Sequence, residues 1–440
     1  MTQLSDALSF YRQQVELARG RLSAPHLNWL NESREQALDT FTRLGFPQRT
    51  HENWRYTSID NLLKHHFIPV TEEFTALQDI DVADHFFEQE AYRLTVANGR
   101  VVPSLSELDD LPAGVTLCGL NYALQHHPDW VKAHLAKICP ANQHAFSALN
   151  NALINDGVFL RVGPGVVLPK PIEIVYLTLG LETEIMVQPR NLVLVEKGAQ
   201  ATLIEQHVST GNSVYFNNLV TEIFIAEDAQ FTHYSLQQES PNAFHLSGRG
   251  VLLAQNSRYF LREFSLGGCW GRVDLKVEFA EPYAHADLGG LYLVGDQQLQ
   301  DVHLNILHNA PGGRSLETYR GLLCGKGRAV FDGKIRVERA AQKTDAALSN
   351  ANWLLSRDAE VDTKPQLEIF ADDVKCSHGT TVGQIDPQQL FYLRSRGIPH
   401  ALAKQILCLG FAQGLLEGCK LEAVRIRTNA LIQQRLIEFT

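Results

Sequence analysis

The sequence lacks the signatures that most often mark an enzyme. It has no GxxxxGK[ST] phosphate loop, no GxSxG elbow, no HExxH helix and no GxGxxG between a strand and a helix. No nucleotide is therefore expected to bind this chain through a known motif. CxxC pairs are missing too. The seven cysteines stand at 118, 139, 269, 324, 376, 408 and 419, an odd and scattered set. That pattern predicts reduced thiols in a cytoplasmic setting, not a disulfide frame. Long apolar runs are absent. The two longest stretches free of Asp, Glu, Lys and Arg, 111–128 and 138–155, are broken by Pro, Asn, Gln and His, whereas a membrane-spanning helix needs ~20 mostly apolar residues. The start, MTQLSDALSF, has no basic region leading into an apolar core, so no signal peptide is expected. Excess positive charge is missing as well. Lys and Arg number 39 against 49 Asp and Glu, a net charge of −10, which argues against a chain built to grip nucleic acid or an anionic membrane.

What is present is a globular composition, with 45% apolar and 20% charged residues. At 440 residues the chain exceeds the ~250–300 at which a single core stops growing, so it must divide into domains or extend as a repeat. Three regions differ in pattern. Residues 1–150 read as a mixed, largely helical N-terminal domain. Leu4, Leu8, Tyr11, Val15 and Leu22 sit at helical spacing, and Ser33 to Leu44 repeats the pattern with Ser33 as N-cap and Gly45 and Pro47 as the stop. YRLTVANGRVV, 92–102, reads as two strands about an Asn98-Gly99 turn.

From 151 to 385 the period switches to two. Val158–Val162, Ile172–Leu177, Asn191–Val195 and Ala201–Glu205 are short and rich in β-branched residues. A loose repeat runs through VEKGAQATL, IAEDAQFTH, LAQNSRYFL, FAEPYAHAD, LCGKGRAVF and LSRDAEVDT, anchored at 195, 225, 253, 279, 323 and 355. A step near 30 with one expanded member of 44 predicts a β-solenoid, in which each coil buries its apolar face by stacking on the next. A large β-sandwich with similar turns is the alternative. From 386 to 440 helical patterns return, over Gln388–Arg396, Pro399–Leu416 and Leu421 to about Glu438, with Gly397 and Gly418 placed as C-caps. Residues 394–440 carry seven bases and three acids, either a docking surface for an acidic partner or a solvated face.

One cluster stands out for chemistry, Asp372-Asp373-Val374-Lys375-Cys376-Ser377-His378-Gly379. In an extended strand Cys376 and His378 share a face, ~6.5–7 Å apart between Cα atoms. A thiolate and an imidazole there could bind one soft or borderline metal, and Lys375 would favour the thiolate. Two ligands do not close a tetrahedral shell, so a partner or substrate must supply the rest. With seven Cys and 17 His in the chain the spacing arises readily by chance, and a packed, inert Cys376 is the competing reading. His303 and His308 read as structural histidines, Gly267 to Gly271 around Cys269 as a tight turn, and Cys408 and Cys419 as helix core. The acid pairs Asp372/Asp373 and Glu182/Glu184 would suit a carbohydrate-active solenoid enzyme, though acid pairs are also ordinary on solvated faces.

The stretch AEVDTKPQLEIFADDVKCSHGTTVGQIDPQQLFYLRSRGIP, 359–399, resembles the signature of the SufB/SufD family of iron–sulfur cluster assembly proteins. GFPQRTHENWRYTSIDNL (45–62), RSLETYRGLL (314–323) and QKTDAALSNANWLLS (342–356) extend the resemblance through the chain in order. Gly379 follows His378 where SufB members carry Glu, which is similar to the SufD branch. The resemblance implies a right-handed parallel β-helix core flanked by N-terminal and C-terminal helical domains. It implies a non-catalytic subunit that pairs with a SufB-like protein through the β-helix and docks a SufC-like ATPase through its C-terminal helices. Cys376 and His378 would lie at that junction and share iron or a transient iron–sulfur cluster with the partner. A homodimer when the chain is alone, an inert brace for SufB and a β-solenoid carbohydrate-active enzyme are the other readings kept open.

Overall fold

The computed structural model describes residues 2–71, 82–87, 89–181 and 183–439. Its centre is a two-sheet β-solenoid. One sheet stacks, in chain order, Val158–Val162, Arg190–Val195, Tyr215–Ile225, Phe244–Leu253, Trp270–Phe279, Leu299–His308, Arg328–Val337 and Glu360–Ile369. The other stacks Tyr92–Ala97, Ile172–Thr178, Gln200–Ser209, Gln230–Gln237, Arg258–Ser265, His285–Val294, Arg314–Leu323, Asp345–Leu354 and Lys375–Gly383. Successive strands alternate between the sheets, so every neighbour in this stack is parallel.

The repeat seen in the sequence is the turn chemistry of this stack. In each coil one residue adopts a left-handed backbone: Gly198, Asp228, Asn256, Tyr283, Gly312 and Lys343, at φ of 56 to 72°. That conformation turns its N–H toward the next coil. Gly198 donates to Glu227, Asp228 to Gln255, Asn256 to Pro282, Tyr283 to Pro311, Gly312 to Gln342 and Lys343 to Asp373. Small residues follow (Ala199, Ala229, Ser257 and Ala284, all fully buried) because the chain doubles back tightly there.

The expanded spacing of 44 has a different origin from a long coil. Anchors 195 to 279 lie where strands of the first sheet end, and 323 and 355 lie where strands of the second sheet end. The sequence pattern jumped from one side of the solenoid to the other. Real coils stay even: Phe216 lies beside Phe244, Phe244 beside Trp270, Trp270 beside Leu299, Leu299 beside Arg328 and Arg328 beside Glu360.

The two ends of the stack differ. At the first end antiparallel strands cover both sheets. Val115–Gly119 pairs with Val158–Val162, and Arg100–Val101 folds back on Tyr92–Ala97 through the expected Asn98-Gly99 turn (φ 45° and 82°). At the far end Glu360–Ile369 pairs only with Arg328–Val337, and Lys375–Gly383 only with Asp345–Leu354, among the described residues. Each therefore presents a row of unpaired backbone groups.

Helices flank the solenoid. Thr2–Ala18, Asn28–Leu44 and Ala145–Ala152 pack an aromatic cluster of Tyr11, Phe41, Phe46, Trp54 and Phe146 against the first sheet's Phe216, Phe244 and Trp270. The second of these starts at Asn28, before the expected Ser33 cap. Ser33 instead lies inside the helix, where its hydroxyl accepts from Asn151. Gly45, at φ 62°, ends the helix as expected. After the solenoid come Pro387–Ser395, capped by Asp386, then His400–Glu417 and Glu422–Glu438. The last two pack on the outer face of the second sheet, around Tyr234, Phe264, Leu291 and Leu322.

Candidate functional site

Buried charge lies on both faces of the first sheet. On its outer face, beneath residues 136–139, Arg190 and Glu222 form a fully buried ion pair at 2.5 Å. In the solenoid interior, Glu205 accepts from His233 at 2.8 Å, and Arg249 reaches Glu263 at 3.2 Å. Tyr319 donates to the other Glu263 oxygen at 2.8 Å. Burying such groups is costly unless each is partnered, and the chain partners them across coils. This interior leads to the open end, and there the sequence candidates lie.

Cys376 and His378 sit on the terminal strand Lys375–Gly383. Cys376 stands in line with Ala346 and Ser315, and His378 with Leu348 and Glu317. Ser315, Glu317, Ala346 and Leu348 are all buried, the inward positions of their strands. The thiol and the ring therefore belong to the inward face, as their spacing predicts, and no further coil among the described residues covers them. Cys376 is half-buried and packs against the solenoid core, while His378 is exposed. Among the described residues, no group of three or more His, Cys, Asp or Glu is placed to hold a metal ion.

One expectation fails here. Lys375 occupies the outward-facing position on the same strand and does not activate the thiol. The Cys376 thiol pKa is raised, first by burial and then by the carboxyls of Asp345 and Glu317, so the group stays a thiol at neutral pH.

Sequence reasoning missed Glu317. Its carboxyl is fully buried in line with Leu348, and neither oxygen has a well-formed hydrogen bond among the described residues. Burial pushes it up to about 8, so it is neutral at pH 7. The signal was present in RSLETYRGLL, but the polarity there runs backwards. Leu316 is 44% exposed while Glu317 faces inward, and ordinary alternation would assign them the other way round.

The remaining candidates fall apart spatially. His303 pairs with buried Asp301 at 2.9 Å, and His308 stacks on Phe279 and bonds Ser315 at 3.1 Å, structural roles as expected. Cys408 and Cys419 are core, and Cys269 lies at its turn with its thiol on the Ala243 carbonyl. Asp373 pairs with Lys343, whereas Glu184 pairs with His65 at 2.8 Å near the other end of the solenoid. Glu182 lies outside the described residues. The basic tail is partly used internally: Arg425 pairs with Glu422 and Arg435 with Glu438, and Arg427 donates to the Asp84 and Phe86 carbonyls. Phe391, Tyr392, Leu402 and Ile406 are exposed on the C-terminal helices, Phe391 at 73%.

The fold is that of a parallel β-solenoid scaffold, bare at one end and bearing a Cys-x-His pair on that end. The chain belongs to the SufB/SufD family of iron–sulfur cluster assembly proteins. The family model described as the SUF system FeS cluster assembly, SufBD core domain, matches residues 178–411, and that of the SufBD protein N-terminal region matches 3–174. The chain is 33% identical to the iron–sulfur cluster assembly protein SufD of Escherichia coli, over 91% of this chain and 92% of that one. It is 32% identical to an iron–sulfur cluster assembly SufBD family protein of Synechocystis, over 99% of both. With SufD of Bacillus subtilis the identity is 26%, over 93% and 94%. No helix among the described residues is long and apolar enough to cross a membrane.

Proposed function

We propose that this chain is a non-catalytic subunit of an iron–sulfur assembly complex that lends Cys376 and His378 to a site completed by a SufB-like partner. The observation that carries the proposal is the asymmetry of the solenoid. Its first end is covered by antiparallel strands, while its far end leaves two strand edges open around the Cys376 and His378 positions. A partner adding strands there satisfies the edge groups and brings the missing ligands. Iron or a nascent cluster is then cargo, held between the chains and released.

The C-terminal helices, with Phe391, Tyr392, Leu402 and Ile406 outward, dock a SufC-like ATPase, and this chain binds no nucleotide itself. Nucleotide-driven movement of the ATPase subunits shears the junction, a rigid-body switch that alternately exposes and shelters the thiol and ring. The setting is cytoplasmic, and the open end supports a homodimer when the usual partner is missing.

The test is co-purification with the SufB-like and SufC-like proteins of the same cell, followed by iron and sulfide analysis. Cys376→Ser and His378→Ala should assemble normally and accumulate neither iron nor sulfide; full loading of either variant would refute the ligand role. An inert brace is separated by thiol-reagent titration with and without ATP, because a brace gives constant Cys376 reactivity.

A further inference from the structure

The short segment Val82–Phe87 lies between three parts of the molecule. Its Phe87 N–H donates to Glu173 of the second sheet at 2.8 Å. Its His85 carbonyl accepts from Gln206 at 2.6 Å, and the same Gln206 amide reaches Glu173 at 2.8 Å. On the other side, Arg427 of the last helix donates to the Phe86 carbonyl at 2.7 Å and the Asp84 carbonyl at 3.0 Å, with its guanidinium 5.1 Å from the centre of the Phe87 ring. Arg93 closes the remaining side, bonding the Phe87 carbonyl at 3.1 Å with its guanidinium 4.9 Å from the centre of the Phe86 ring. Phe87 itself is buried among the side chains that seat the C-terminal helices.

We propose that Val82–Phe87 is a latch, closed over Glu173, that fastens the last helix to the second sheet and whose opening exposes that carboxyl to water. The charged and polar groups facing Glu173 come from every element packed on it: Arg93, Arg427, Gln206 and the Phe87 amide, with Asp84 next to Arg427. The Glu173 side chain is fully shielded from solvent although Arg93 lies 3.7 Å away. Burial outweighs those cations and pushes Glu173 up to about 7 from an ordinary 4.5.

The closed latch therefore binds a proton that the open one releases. It is tightest in acid and loosens as pH rises from 4.5 through 7, because the open form holds fewer protons over that window. With those two values the opening equilibrium grows roughly 40-fold between pH 5 and pH 7. A movement imposed on the last helix would pass through Arg427 to the solenoid, and pH would set how firmly.

The test is hydrogen exchange on the full chain at pH 5 and pH 7, corrected for the intrinsic rates. Amides 83–87 and the helix turns around Arg427 should open together, tens of times more at pH 7. Glu173→Gln, which keeps an acceptor for Phe87, should abolish the pH dependence, and Arg427→Ala should open the helix turns at both pH values. A pH-independent wild type, a pH effect kept by Glu173→Gln, or exchange in 83–87 without change around Arg427 would each overturn the latch.

Discussion

The sharpest prediction concerns Glu317. Replacing it by Gln keeps the size and the planar head group and removes only the ionisation. In the native fold this carboxyl is held at about 8 by burial, against 4.5 when exposed. Between those values the unfolded chain has shed its proton and the folded chain has not. The native state binds more protons, so stability falls as pH rises through this window. Each tenfold difference in proton affinity between the two states is worth ~1.4 kcal/mol. The wild type should therefore lose about 2–3 kcal/mol from pH 5 to pH 7 through this group alone. The Gln variant should lose none of it, and its carboxamide finds the same unpartnered surroundings that the neutral acid occupies. Urea midpoints of both proteins at pH 5, 6, 7 and 8 provide the measurement. The two stability curves should nearly meet at pH 5 and diverge steadily above it, with the variant more stable. Parallel curves would mean that the carboxyl is solvated or paired in the native protein, and the account of Glu317 would fall.

Two further outcomes follow from buried groups. Arg190→Ala leaves Glu222 buried without its cation and should cost about 3–5 kcal/mol by chemical denaturation, whereas breaking an exposed pair such as Lys197–Glu227 should leave stability nearly unchanged. Gly321→Ala drives a methyl group into the Tyr292 ring and the Asn352 amide; a loss of about 1–3 kcal/mol is expected, with the same change at outward-facing, open Gly379 close to neutral.

Much of this architecture was legible in the residues. Turn chemistry gave the coil period because one left-handed position and one small residue are needed at every reversal, and VEKGAQ, IAEDAQ and LAQNSR display both. Asn98-Gly99 specified its hairpin for the same local reason. What stayed illegible depends on contacts between coils. The step of 44 misled because both sides of the solenoid use similar turns. Arg190, Glu205, His233 and Arg249 look like surface residues in a linear reading, yet each finds its partner on another strand of the stack. Glu317 shows the limit most clearly: register, fixed by neighbouring strands, overrides the polarity of its own segment. At the candidate site, the Cys376–His378 spacing was readable because a strand's alternation is local. The raised thiol was not, since it comes first from burial against the coils beneath and then from Asp345 and Glu317 on earlier strands. Tyr292 and Tyr319 make the same point, each lying opposite a glycine of the adjacent strand, Gly321 and Gly290, a reciprocity visible only when the coils are aligned.

The unlike ends of the solenoid also limit how such molecules can grow. A rod that could be extended at both ends would polymerise head to tail into fibres. Here one terminus is already finished by the chain's own reversed strands, so the described residues leave one end at which the stack could be lengthened. Were that end filled by a similarly finished neighbour, nothing would be left to extend, and the assembly would close as a pair.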